Sequence, residues 1–200
     1  MSDNRIVFAT GNEGKMKEIR LILADLGMEI LSMKEAGADP EIVEDGKTFG
    51  EKAKAGWAET GGIVLADDSG LVVDCLNGEP GIYSARYMGE DTSYEIKNQT
   101  IISRVNEAAG DDRSARFVCN IAAVLPDGSV IHTEETMEGT IAEKAAGNGG
   151  FGYDPILFLP EFGVTSAEIT MEQKNRISHR GKALEAMKRK LEEIYKGDVR

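Results

Sequence analysis

Four consecutive apolar residues, Ile6-Val7-Phe8-Ala9, predict a short buried strand. A polar stretch, Thr10-Gly11-Asn12-Glu13-Gly14, follows. Met16, Ile19, Leu23 and Leu26 then recur at helical spacing and predict a helix that ends near Gly27. Ile30-Leu31 suggests a second short strand, Glu41 to Lys47 an acidic loop, and Thr48 a cap for a helix running toward Glu59. Ile63-Val64-Leu65-Ala66 is another buried-type strand, expected to end at Asp67-Asp68-Ser69-Gly70. Beyond the glycine- and proline-bearing loop Asn77 to Gly81, a helix is predicted from about Ser93 to Glu107. Ala115 to Leu125, the turn Pro126-Asp127-Gly128, and Ser129 to Met137 read as a long β-hairpin. A glycine cluster, Gly147 to Gly152, leads to apolar Ile156-Leu157-Phe158. Leu184, Met187, Leu191 and Ile194 mark one face of a last helix, from about Ser178 to Tyr195. Strands and helices mix throughout, which makes the class α/β, with a sheet made partly antiparallel by the hairpin.

Charge narrows the partners. The formal net charge of −12 argues against a nucleic-acid polymer, whose binding depends on Lys and Arg neutralising phosphates. A small polyanion such as a nucleotide remains compatible where basic residues gather locally and a divalent cation assists. No apolar run approaches the ~20 residues that span a bilayer, and the opening Met1-Ser2-Asp3-Asn4-Arg5 does not have the pattern expected of a signal peptide. Cys75 and Cys119 lie far apart without CxxC spacing and read as buried thiols of a reducing cytosol rather than a disulfide scaffold. The expected setting is cytoplasmic, so the sequon Asn98-Gln99-Thr100 is expected to be chance.

Four stretches can carry chemistry. Thr10-Gly11-Asn12-Glu13-Gly14-Lys15 joins a strand to a helix. Glycines admit an anion to backbone N–H groups, the helix terminus adds a partial positive charge, and Lys15 a full one. The spacing is not that of a Walker loop; the bland alternative is a βα turn that needs glycine for geometry. Asp67-Asp68-Ser69-Gly70 would place two carboxylates at a strand end, where open α/β sheets bind ligands. One carboxylate can face a metal and the other a water, whereas the bland alternative is an Asx turn.

Gly147-Asn148-Gly149-Gly150-Phe151-Gly152-Tyr153-Asp154-Pro155 contains a formal G-x-G-x-x-G match. A dinucleotide fingerprint must open a helix, though, and Pro155 disfavours a helical Asp154. Phe151 or Tyr153 could instead stack on a base, or anchor the loop in the core. Lys174-Asn175-Arg176-Ile177-Ser178-His179-Arg180 gathers three cations and one of two histidines in an acidic chain. With Ser178 as cap, His179 and Arg180 fall in a first helical turn, where cations oppose the dipole and suggest an acceptor-rich ligand. A solvated helix start is the alternative. His132, inside the hairpin, is read as structural.

Together these stretches resemble the inosine triphosphate pyrophosphatase family, hydrolases of non-standard purine triphosphates. The resemblance rests on Thr-Gly-Asn-x-Gly-Lys, Ala-Asp-Asp-Ser-Gly-Leu, Pro80 to Tyr87 (Pro-Gly-Ile-Tyr-Ser-Ala-Arg-Tyr), Gly-Gly-Phe-Gly-Tyr-Asp-Pro and Ile-Ser-His-Arg, in the family's order from Ile6 to beyond Arg180. It implies a long central mixed sheet, two α/β lobes around a nucleotide cleft in a single domain, and a homodimer. It also implies Mg²⁺ and hydrolysis of ITP, dITP or XTP to the monophosphate and pyrophosphate. By the same resemblance Thr10, Gly11, Asn12, Glu13, Gly14 and Lys15 hold the triphosphate, Asp68 is base and metal ligand, and Ser69 touches substrate. Phe151, Gly152, Tyr153, Asp154, Lys174, His179 and Arg180 form the nucleoside pocket, with cationic donors that suit a keto purine.

Two positions depart from the family pattern. A further metal-binding Glu stands where this chain has Val43, with Glu41 and Glu44 nearby, and a phosphate-facing Lys aligns with Gly56, near Lys52 and Lys54. The rival readings are a nucleotide-binding regulator without turnover and a pyrophosphatase of modified pyrimidine triphosphates. Multiple-turnover pyrophosphate release separates the first, and a substrate panel the second.

Overall fold

A computed structural model describes residues 5–38, 49–108, 110 and 112–197. Its strands are β1 Arg5–Phe8, β2 Glu29–Ser32, β3 Ile63–Val73, β4 Ser114–Val124, β5 Val130–Ile141, β6 Leu157–Leu159 and β7 Val164–Thr165. They form one mixed sheet in the order β2-β1-β3-β4-β5-β6-β7. β1 runs parallel to β2 and β3, with Ile6 opposite Ile30 and Ile63. β6 is antiparallel to β5 and β7. The predicted turn closes the β4–β5 hairpin, Gly128 N–H donating to the Leu125 carbonyl at 2.9 Å. The α-helices among the described residues are α1 Glu13–Ile22, α2 Phe49–Thr60, α3 Tyr94–Ala108, α4 Met171–Ile177 and α5 His179–Gly197.

The chain divides into two compact units. The first holds the residues up to Asp68, Cys119–Glu135 and those from Arg180 onward; the second holds Ser69–Val118 and Thr136–His179.

In the first unit, period-two alternation along β3 sorts side chains to two faces. Ile63 and Leu65 join Ile6, Phe8, Ile19 of α1 and Leu184 of α5, while Val64 and Ala66 join Val7, Met33 and Ala53 of α2. Both faces of Ile6–Phe8 and of Ile63–Ala66 are therefore covered, which is why these segments are continuously apolar rather than alternating. Ile19 and Leu184 are fully buried, each contributing about 1.5–3 kcal/mol of transfer free energy. The second unit has its own core, built from Leu71 and Val73, Ile101, Ile102 and Val105 of α3, Phe117, Met137 and Leu157.

Three expectations change. Asp67-Asp68-Ser69-Gly70 does not terminate its strand, because β3 continues to Val73. Leu71 and Val73 keep the alternation, and a Cβ at Gly70 would overlap the Gly81 carbonyl oxygen, so the glycine serves a close backbone approach rather than a turn. A separate helix, α4, precedes Ser178; Thr170 and Gln173 form its capping box, and Ser178 takes extended angles before α5 begins. Ile194 is exposed, so the apolar face of α5 ends at Leu191. The acidic loop with Glu41, Val43 and Glu44, and the Thr48 cap, lie outside the described residues.

Candidate active site

In the first unit the chain leaves β1, and Ala9 N–H donates to the Leu65 carbonyl of β3 at 2.7 Å, pinning the start of the loop to the sheet. Asn12 N–H donates to Thr10 Oγ1 at 3.2 Å, and Asn12 Oδ1 caps α1 by accepting from Lys15 N–H at 3.0 Å. Gly11, Asn12 and Glu13 are exposed, so the positive end of a ten-residue helix faces outward. Beside it opens a cavity of ≈ 700 Å³ whose charged lining is Glu13, Lys17, Arg20, Lys34 and Glu35, with Arg20 donating to Glu35 Oε2.

Lys15 turns from this helix toward β3. Its ammonium donates to Asp67 Oδ1 at 3.2 Å, and its side chain keeps 17% exposure. The other oxygen of Asp67 accepts from Arg180 Nε at 3.1 Å, and Arg180 Nη1 donates to Glu18 Oε2. Asp67, Glu18 and Arg180 are all buried. Burial alone would raise the Asp67 pKa, but the charges of Lys15 and Arg180 outweigh it and hold the carboxyl at about 2. For Arg180, burial opposes the charge, and the Asp67 and Glu18 carboxylates more than restore it. The strand period explains the meeting: Asp67 shares the β3 face of Ile63 and Leu65, the face covered by α1 and α5.

Asp68 points to the opposite face of β3, that of Val64 and Ala66, and is half-buried, as is Ser69. Among the described residues no group of three or more His, Cys, Asp or Glu side chains is placed to hold a metal. A Cβ at Gly56 stands 3.0 Å from Val64 Cγ1 and 3.1 Å from Met33 Sδ, so a lysine at this position would crowd the core. Of the two nearby lysines, Lys52 is half-buried and Lys54 exposed.

In the second unit the glycine loop is organised by Asp154, which is 2% exposed. Its Oδ2 accepts from Phe151 N–H at 2.7 Å and from the Lys174 ammonium at 2.8 Å, and its Oδ1 from Ser166 Oγ at 2.8 Å. A Cβ at Gly150 would overlap that carboxylate, so the loop closes on Asp154 only with glycine there. Pro155 stands in a single 3₁₀ turn, Asp154–Ile156, and no helix follows the glycines. The two aromatic candidates separate. Tyr153 is buried, packs edge-on to Tyr94 and donates to the Ser84 carbonyl at 2.7 Å, and burial pushes its hydroxyl pKa up. Phe151 stays exposed, with the Lys174 ammonium 5.0 Å from its ring centroid. His179 is buried and stacked on Phe117 at 4.9 Å. Asn98, the sequon residue, is buried and donates to the Gly152 carbonyl at 3.1 Å.

A Ham1 family model matches residues 6–190. The chain belongs to the Ham1 family. It is 46% identical to a dITP/XTP pyrophosphatase of Clostridium perfringens over 96% of this chain and 99% of that one. It is 47% identical to a dITP/XTP pyrophosphatase of Geobacter sulfurreducens over 92% and 94%. A HAM1 protein from Coxiella burnetii superposes with TM-score 0.83 at 37% identity, covering 94% of this chain and 98% of that one. The Staphylococcus aureus Ham1 protein superposes with 0.81 at 39%, over 94% and 98%. These matches bear out the family resemblance and the α/β mixed-sheet fold drawn from the motifs.

Within this Ham1 chain the structure joins Lys15 to Asp67 and Arg180, and separately Phe151 to Asp154 and Lys174. It sets Asp68 and Asp67 on opposite strand faces. Glu18 was not singled out from sequence. Its one signal is helical spacing, since it lies three residues beyond Lys15 and so on the same side of α1.

Proposed function

We propose that this chain hydrolyses non-standard purine nucleoside triphosphates (ITP, dITP and XTP) to the monophosphate and pyrophosphate. The observation that carries the reading is a capped helix terminus whose lysine is seated by one carboxylate of β3, while the next carboxylate of the same strand is half-buried on the other face. Thr10 to Lys15 bind the triphosphate, with the adjacent cavity as room for a polyphosphate chain. Asp68 accepts the proton of a water that attacks the α-phosphorus. The Pα–O bond to the β-phosphate then breaks, and pyrophosphate leaves with the bonding electrons. Ser69 touches the substrate beside this carboxylate.

Asp68 is a hard oxygen donor and suits Mg²⁺, which takes one or two carboxylates and completes its shell with phosphate oxygens and water. Bound there, Mg²⁺ would neutralise phosphate charge and polarise the phosphoryl oxygens. For the base, Phe151 offers a stacking face and Lys174, held by Asp154, a donor to a keto O6. Gly152 and Tyr153 shape that loop, His179 is assigned to the same nucleoside pocket, and Arg180 serves the site through Asp67.

Incubation with ITP and Mg²⁺ is expected to yield IMP and pyrophosphate, and chelation to stop the reaction. Product chromatography checks this, and IDP with orthophosphate as the primary products would end the reading. We also propose a cytoplasmic homodimer, supported by exposed apolar Ile82, Tyr83, Met88 and Ile96 of the second unit. Light scattering should then give twice the 21.6 kDa chain mass; a monomer mass at working concentration would exclude it.

A further inference from the structure

Glu18 is a buried carboxylate on a helix that otherwise buries Met16 and Ile19. Burying such a group is costly unless its charge is used. We propose that Glu18 is a positioning residue of the triphosphate site, acting through Arg180 and Asp67 to keep the Lys15 ammonium seated. The inference rests on the reading of Thr10 to Lys15 as the triphosphate loop.

The four charges alternate along one hydrogen-bonded line within the first unit: Lys15, Asp67, Arg180, Glu18. Their formal sum is zero, so every cation has a carboxylate. Lys15 and Glu18 lie three apart on α1, hence on one side of it, and the helix delivers both ends of the line to the same region. Without the Glu18 charge, Asp67 stays between the Lys15 and Arg180 cations it already bonds. Arg180 is 2% exposed, whereas Lys15 carries a compact, readily hydrated ammonium on a flexible stem and keeps 17% side-chain exposure. Asp67 would then turn its two oxygens to the guanidinium fork, the geometry that carboxylates favour with arginine. Lys15 would be released to solvent. Glu18 thus divides the attention of Arg180 so that one oxygen of Asp67 remains for Lys15. The alternative is that Glu18 only satisfies a buried arginine and has no influence on Lys15.

The test compares Glu18→Gln, which keeps the shape and removes the charge, with Glu18→Asp, which shortens the stem and keeps the charge. Each protein is acetylated without substrate by an amine-reactive ester, and modification of Lys15 and of exposed Lys17 is followed by peptide mass spectrometry. Lys15 labelling is expected to rise about fivefold in Glu18→Gln, the scale of one lost ion pair. Lys17 labelling should be unchanged, and Glu18→Asp should lie nearer wild type. In steady-state assays with ITP, KM should rise more than kcat falls in Glu18→Gln. Adding Glu18→Gln to Lys15→Ala should cost little beyond Lys15→Ala alone, because both act on one interaction. Unchanged Lys15 labelling in Glu18→Gln, additive losses in the double variant, or a larger effect from Glu18→Asp than from Glu18→Gln would each overturn the proposal. Absence of ITP turnover in wild type would instead sink the proposed function, leaving the labelling comparison to decide on Glu18.

Discussion

Replacing Asp68 by Asn is expected to lower kcat for ITP by about 10²–10⁴-fold, the usual contribution of a positioned general base. An amide cannot accept the proton of the attacking water, and it is a weak magnesium ligand. The substitution preserves size at a half-buried strand position, so unfolding free energy should move by less than about 1 kcal/mol. Loss of rate without loss of stability separates a functional carboxylate from a structural one. Steady-state kinetics beside a urea titration measures both, and turnover within threefold of wild type would remove Asp68 from the role of base.

Arg180→Ala is expected to act chiefly on stability. Its guanidinium is the partner of two buried carboxylates, Asp67 and Glu18. Removing one member of a buried ion cluster commonly costs about 3–5 kcal/mol, because uncompensated charge stays behind. Turnover of ITP and ATP should fall by similar factors, since the disturbance reaches the site through Asp67. The acid limb of wild-type stability reports on the same cluster. With its pKa held at about 2 rather than the ordinary 3.8, Asp67 contributes stability that is fully present above pH 3.8. That contribution, about 2 kcal/mol by linkage, is lost as the pH falls through 2. In Arg180→Ala, denaturant titrations between pH 5 and 2 should show a shallower loss over this window. A stability change below 1 kcal/mol, or an ITP-to-ATP ratio of kcat/KM that narrows, would return Arg180 to the base pocket.

Much of the fold was legible because it follows from local rules. The apolar tetrad at Ile6, the run from Ile63 and the hairpin around Pro126-Asp127-Gly128 each carry their period within a few residues, and each became a strand or turn where expected. The end of β3 was misread because Asp67-Asp68-Ser69-Gly70 is good turn chemistry. In the structure the strand runs on to Val73 and Gly81 passes close over Gly70, a contact between segments that propensity does not contain. Helix α4 was missed although its capping box, Thr170 to Gln173, stands in the sequence. The apolar pattern predicts a helix only from about Ser178, with none assigned to the residues just before it.

The candidate site divides along the same line. Sequence by itself determined which residue types were available: a glycine loop with Lys15, adjacent carboxylates, a glycine-aromatic loop and a cationic stretch, together specific enough to mark the family. It also determined, through the two-residue period of a strand, that Asp67 and Asp68 face opposite ways. Only the tertiary structure decided which face holds which partners. Asp67 meets Lys15 and Arg180 because α1 and α5 pack on the face shared by Ile63 and Leu65. Tyr153 became a core anchor and Phe151 an exposed ring because Ser84 and Tyr94 occupy the inner side of their loop. Glu18 acquired its role from an arginine 162 positions away. Charges that sit far apart in sequence come together only when the burial of apolar faces folds their helices onto one sheet, and local spacing carries no record of that distance.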